Sequence, residues 1–163
     1  MAMNTNTASA YPTPLSFLNG KKAVLLNFTA DSYHWGCYGT SMEIYHTLLD
    51  QGYYVETVSV QITHKIQPVP TTFKNFDDSA FFKDFYEKNR AVCTSLSNAD
   101  LVVVNGEGTL HRLNNGPRNL LYLIYICKKY FKKPVHLINF SCFPNGDTTL
   151  PSKGTMIYPR VLR

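Results

Sequence analysis

Ala99-Asp100-Leu101-Val102-Val103-Val104-Asn105-Gly106-Glu107-Gly108-Thr109-Leu110-His111 sets an apolar, β-branched run directly against a glycine-flanked carboxylate. A short continuous apolar run that stops at turn residues is the pattern of a strand buried on both faces, as in a parallel sheet. The change to Asn-Gly-Glu-Gly delivers polar groups to the C-terminal end of that strand, where open α/β sheets bind their ligands. Gly106 and Gly108 free the backbone for conformations and close approaches that a side chain forbids. Glu107 lies between them, and an imidazole, His111, follows.

Working outward, Ala23-Val24-Leu25-Leu26-Asn27-Phe28-Thr29 reads as another buried strand that breaks into a polar loop. Thr40 and Glu43 have the spacing of a capping box. A helix is therefore expected from Thr40, with Met42, Tyr45, Leu48 and Leu49 inward and Gly52 as terminator. Tyr53 to Val60 alternates as a strand, which completes a β-α-β unit with a right-handed parallel crossover. Residues 61–70, with Pro68 and Pro70, read as a loop. Asp77-Asp78-Ser79 can cap a helix over Ala80 to Asn89 that turns Phe81, Phe82 and Phe85 inward, and residues 95–99 read as a connection. Pro117 suits the first turn of a further helix running to about Tyr130. Pro134 to Phe140 is a fourth strand, ending at Asn139 and Ser141. This order predicts an α/β protein with an open, mostly parallel sheet and helices on both faces. Residues 1–20, rich in Asn, Thr, Ser, Ala and Pro, are expected to be a disordered tail, and 21–163 a single domain. Met156 to Arg163 begins a new element without a terminator, as expected of a chain truncated before a second half.

Composition narrows the function. A chain of 163 residues with 44% hydrophobic content is long enough for a core and too apolar for disorder. Part of the net charge of +5 is local, with Lys128, Lys129, Lys132 and Lys133 crowding one segment. Cations at the end of a helix suit its dipole, and with no nucleic-acid motif alongside them, no nucleic-acid partner is expected. Cys37, Cys93, Cys127 and Cys142 form no C-x-x-C, and the histidines form no H-x-x-x-H, so no metal site or cofactor is expected. Residues 1–14 lack the apolar core of a signal peptide, and no apolar run approaches the ~20 residues of a membrane span. Free thiols in the cytoplasm are the expectation.

Three strand ends carry polar clusters: Thr29 to Ser41, Asn105 to Arg112, and Asn139 to Asp147. In a parallel sheet all of them point to one edge. The first cluster contributes Asp31, His34, Trp35, Gly36, Gly39 and Thr40, a set suited to holding a sugar or phosphate ahead of a helix N-terminus. The second contributes Asn105, Gly106, Gly108 and Thr109 as binding groups, with Glu107 and His111 as candidate acid–base residues. The third contributes Asn139 and Ser141. Arg112 and Arg118 read as surface charges that could hold a carboxylate or phosphate. His46 and His64 suggest no role, and His136, inside a strand, is expected in the core.

These segments resemble motifs of the polysaccharide pyruvyl transferase family. Trp35-Gly36-Cys37-Tyr38-Gly39-Thr40-Ser41 is similar to its N-W-G-type loop, with His34 where Asn is usual. Residues 99–111 resemble its D-x-h-h-h-x-G-E/G-G strand end. Lys133-Pro134-Val135-His136-Leu137-Ile138-Asn139-Phe140-Ser141 resembles its k-P-V-h-h-h-x-x-S strand. The resemblance spans about Ala23 to Phe143. It implies one Rossmann-like half of a GT-B-like fold and transfer of a pyruvyl group from phosphoenolpyruvate to a sugar acceptor, giving a ketal in cell-surface polysaccharide synthesis. It implies that phosphoenolpyruvate is held by the missing second half, and that this chain is the acceptor side. Two other readings fit the same residues: a nucleotide-sugar glycosyltransferase of GT-B-like fold, and a non-catalytic carbohydrate-binding module.

Overall fold

The computed structural model describes residues 20–31, 34–110, 114–140 and Val161. The expected tail, the C-terminal run (Val161 apart), His111, Arg112, Ser141 and Cys142 lie outside these residues. The chain runs β1 (Lys22–Phe28), α1 (Trp35–Asp50), β2 (Tyr54–Ser59), α2 (Val60–Lys65), α3 (Lys74–Asp77), α4 (Ser79–Lys88), α5 (Arg90–Ser97), β3 (Leu101–Glu107), α6 (Asn115–Lys129) and β4 (Val135–Phe140). Among the described residues the sheet has four strands in the order β2-β1-β3-β4, and every pair is parallel. This is the expected α/β class with an open parallel, Rossmann-like sheet.

The two faces follow from strand alternation. Val24 and Leu26 of β1 pair in register with Val102 and Val104 of β3, and point into the larger core. There they meet Phe76 of α3, Phe85 of α4, Cys93 and Leu96 of α5, and the buried face of α6. Tyr122 of α6 sits at the centre, edge-on to Phe76 and Phe81 and 4.7 Å between ring centroids from Phe85. Ala23, Leu25 and Val103 point to the opposite face, where Leu48 of α1 and Val55 of β2 complete a smaller core.

Several local expectations change. The first helix begins at Trp35 rather than Thr40, and Thr40 bonds back to the Gly36 carbonyl at 2.9 Å inside it. Glycine weakens a helix by only about 1 kcal/mol per residue, which packing of the Ser41–Leu48 face outweighs. Residues 60–65 are helical where a loop was expected. Ser59 accepts the Ile62 N–H as N-cap, and Asn119 of α6 donates to the Thr63 and Ile66 carbonyls. The connection expected at 95–99 is mostly the end of α5. Asp78 caps α4 as expected, accepting from the Ala80 and Phe81 N–H groups. His136 is exposed, not core: among the described residues β4 is an edge strand and nothing covers its side facing α1. His64 lies against Gly116, where an added Cβ would stand 2.3 Å from its ring nitrogen.

Gly106 and Gly108 divide in role. A Cβ on Gly106 would fall 2.3 Å from the Phe140 Cβ, whereas Gly108 faces open space. Gly106→Ala is expected to lower unfolding free energy by about 2 kcal/mol through overpacking. Gly108→Ala should stay within about 0.5 kcal/mol. Chemical denaturation of both variants checks the contrast, and equal losses would refute it.

Candidate functional site

Strand β1 has β2 on one side and β3 on the other, and the chain leaves the two central strands towards opposite faces. The crevice above the C-terminal ends of β1 and β3 is therefore the sheet's topological switch point. Three polar residues at the ends of three neighbouring strands adopt left-handed backbone there: Asn27 at φ 60°, Glu107 at 39° and Asn139 at 48°. Among the described residues Lys132 is the only other non-glycine residue to do so. Such conformations cost about 1–3 kcal/mol each and persist only where surrounding contacts enforce them.

Those contacts form one network. Asn27 is the bulged residue of β1, where pairing with β2 steps from Leu26–Val58 to Phe28–Ser59. Its amide nitrogen donates to the Asn105 carbonyl at 2.7 Å and to Thr109 Oγ1 at 2.9 Å. This fastens the end of β1 to the turn after β3. Asn105 is fully buried; its amide donates to Ser41 Oγ at 3.1 Å, and its side-chain oxygen accepts from Asn139 at 2.9 Å. Ser41 Oγ also accepts the Thr29 N–H at 3.0 Å and lies 2.8 Å from Thr29 Oγ1. Thr29 Oγ1 is in turn 2.8 Å from Glu107 Oε2 and 3.2 Å from the Cys37 carbonyl.

Proton counting gives the network a direction. Thr29 has one hydroxyl proton, and the carboxylate is the closer and stronger acceptor. Ser41 therefore donates to Thr29, Thr29 to Glu107, and Asn105 to Ser41. Each bond in such a chain polarises the next. The half-buried Glu107 carboxylate is its terminus. Asn27 Oδ1 is buried without a partner among the described residues.

The expected site residues separate into a rim and a scaffold. Asp31, His34, Gly36, Gly39, Gly108 and Asn139 are exposed, Thr40, Glu107 and Thr109 half-buried, and Trp35 is 88% exposed. Asn105 and Gly106 are buried, and the Asn105 side chain bonds to Ser41 and Asn139. Asn27, Thr29 and Ser41, which the sequence reading did not single out as site residues, form the core of the network. The available signal was an asparagine inside an otherwise apolar strand, present in both β1 and β3. His111 and Ser141 cannot be joined to this geometry, since both lie outside the described residues.

Helix α1 directs its N-terminal end to the same edge, with no acidic residue in its first turn and no side-chain cap from His34. Cys37 Sγ lies 3.4 Å from His34 Nδ1. Among the described residues no group of His, Cys, Asp and Glu is arranged to hold a metal ion, and no helix is long and apolar enough to cross a membrane. No protein-family model matches the chain, and no curated protein matches it in sequence.

Two expectations follow. Asn27→Ala and Asn27→Gly remove the same hydrogen bonds, but only alanine resists the left-handed backbone, so alanine should cost about 1 kcal/mol more in unfolding free energy. Equal costs would show that the backbone there is unstrained. Burial pushes the Cys93 and Cys127 thiols up to about 12, whereas Cys37 is only half-buried. In a Cys142→Ser background, native protein at pH 8 should lose a single fast-reacting thiol to a disulfide reagent, assignable to Cys37 by peptide mapping.

Proposed function

We propose that the C-terminal edge of this sheet binds the hydroxyl groups of a sugar acceptor, and that the chain supplies the acceptor side of a pyruvyl transferase resembling the polysaccharide pyruvyl transferase family. The observation that carries this reading is Glu107. It is held at the end of β3 by the Asn105–Ser41–Thr29 chain, at the edge to which α1 brings the exposed Trp35. An indole face stacks on the apolar face of a sugar, and carboxylate and amide groups take its hydroxyls.

The chemistry asks two things of this edge. One acceptor hydroxyl must lose its proton as its oxygen bonds to C2 of phosphoenolpyruvate, while C3 takes up a proton to become a methyl group. A second hydroxyl then bonds to the same carbon as the C2–O bond to phosphate breaks, giving a cyclic ketal and inorganic phosphate. Glu107 is the group to receive the first hydroxyl proton. Thr29, donating to Oε2, fixes the carboxylate so that its other oxygen meets the acceptor. Phosphoenolpyruvate would be held by groups beyond those assigned here. The compartment that goes with this chemistry is the cytoplasm, where Cys37, Cys93 and Cys127 persist as thiols.

One observation favours a second reading. The first turn of α1, free of acidic residues and opening on the crevice, suits the diphosphate of a nucleotide-sugar donor. A UDP-sugar that raises Tm while phosphoenolpyruvate and simple glycosides do not would replace the pyruvyl reading with glycosyl transfer.

Trp35 is the single tryptophan of the chain, so its fluorescence reports the site directly. Methyl glycosides carrying 1,2- or 1,3-diols are expected to change its emission saturably, and Trp35→Phe should weaken their binding. In a protein completed by a phosphoenolpyruvate-binding half, Glu107→Gln should leave Tm near the native value and slow phosphate release from phosphoenolpyruvate by at least ~100-fold. Unchanged turnover in a folded Glu107→Gln protein removes it from proton transfer.

A further inference from the structure

The start of α1 carries two reactive groups that the proposed sugar chemistry leaves unused. Cys37 occupies the first turn of this 16-residue helix, and His34, just ahead of it, sets Nδ1 3.4 Å from the Cys37 Sγ. A nucleophile and a base within hydrogen-bond reach of each other are the signature of an activated thiol. Gly36 makes room for the pair: a Cβ there would stand 3.3 Å from His34 Cε1 and 3.4 Å from Nδ1. A side chain at that position would press on the imidazole that faces the thiol. The positive end of the helix dipole favours a thiolate, and no acidic residue in the first turn opposes it. Cys93 and Cys127 have the opposite setting. Both lie in the larger core, where burial pushes their thiols up to about 12. Cys37 is half-buried, and its neighbours Gly36 and Tyr38 are exposed.

We propose that Cys37, with His34 as its base, is a site of reversible S-thiolation by the disulfide of a small thiol. In the tautomer that carries its proton on Nε2, His34 takes the Cys37 proton at Nδ1 as Sγ attacks one sulfur of the disulfide. The S–S bond of the reagent breaks, and a new S–S bond joins the attacked sulfur to Sγ. The departing thiolate receives the proton from His34. Cys37 is thereby oxidised to a mixed disulfide, and half of the reagent is reduced to a thiol. An excess of the reduced small thiol reverses the exchange along the same path. The exchange needs neither sugar nor phosphoenolpyruvate and stands apart from the role given to Glu107. Its consequence falls on the same edge of the sheet. The Cys37 carbonyl lies 3.2 Å from Thr29 Oγ1, the hydroxyl that also meets Glu107, so the adduct forms beside the network that holds the carboxylate.

The test treats the complete, reduced chain with glutathione disulfide near neutral pH and follows each cysteine by peptide mass spectrometry. Cys37 should gain a glutathionyl group that dithiothreitol removes, while Cys93 and Cys127 stay unmodified. A thiol of ordinary acidity is only a few per cent thiolate near neutrality, and nucleophilicity falls as the thiol becomes more acidic, so activation by the pair is worth about fivefold in rate. His34→Ala should therefore react about fivefold more slowly, and added imidazole should restore part of the loss, which a purely structural role for His34 would not allow. The His34 side chain is exposed, and circular dichroism confirms that the variant is folded. Amide shifts on adduct formation should reach Thr29. An unmodified Cys37, a His34→Ala protein that reacts at the native rate, or a loss that imidazole does not restore overturns the proposal. An adduct that leaves the Thr29 amide unshifted, or a Cys37–Cys142 disulfide in place of the mixed disulfide, likewise overturns it.

Discussion

The Ser41 hydroxyl joins three elements that the chain brings together from distant positions. It sits on α1, accepts the Thr29 N–H from the end of β1 and the Asn105 amide from β3, and passes its own proton to Thr29. All of this occurs with Ser41 and Asn105 fully buried. A buried donor or acceptor left without a partner costs about 1–3 kcal/mol. Loss of the Ser41 hydroxyl would strand the Asn105 amide and the Thr29 N–H together. The polar network thus fixes where the first helix starts relative to the sheet edge, and with it the position of Trp35.

That constraint explains how strained backbone can persist at the strand ends. Asn27, Glu107 and Asn139 each spend free energy in left-handed conformations, and each is tied to the network by its side chain: Asn27 to the Asn105 carbonyl, Glu107 to Thr29, Asn139 to the Asn105 side chain. The three side chains do not meet one another; each is bonded to a different member of the one network, so the bends and the network hold each other in place.

Legibility from sequence follows how local each cause is. Strands β1 and β3 are evident because burial on both faces leaves contiguous apolar runs, and Glu107 is evident because it interrupts one between glycines. Helices α2 and α5, with six and eight residues, are too short for a helical period to stand out beside Pro68 or between Asn89 and Asn98. The start of α1 at Trp35 is hidden because Thr40 and Glu43 form a plausible capping pair, while the packed helix tolerates the two glycines ahead of it. His136 looked like core because alternation tells which residues share a face, and not whether anything covers that face. The Thr29–Ser41 contact spans a loop and a helix turn, so nothing in the local pattern announces it.

The network also reaches the end of the sheet. Among the described residues β4 pairs only with β3, and Asn139 at its end donates to the Asn105 side chain. Asn105 in turn donates to Ser41, which is linked through Thr29 to Glu107. The same buried asparagine therefore serves two strand ends at once: it ties the end of β4 to β3 and supports the residues that position the carboxylate. Loss of its side chain would leave Asn139 and Ser41 without that partner together, each at a cost of about 1–3 kcal/mol where burial keeps water out.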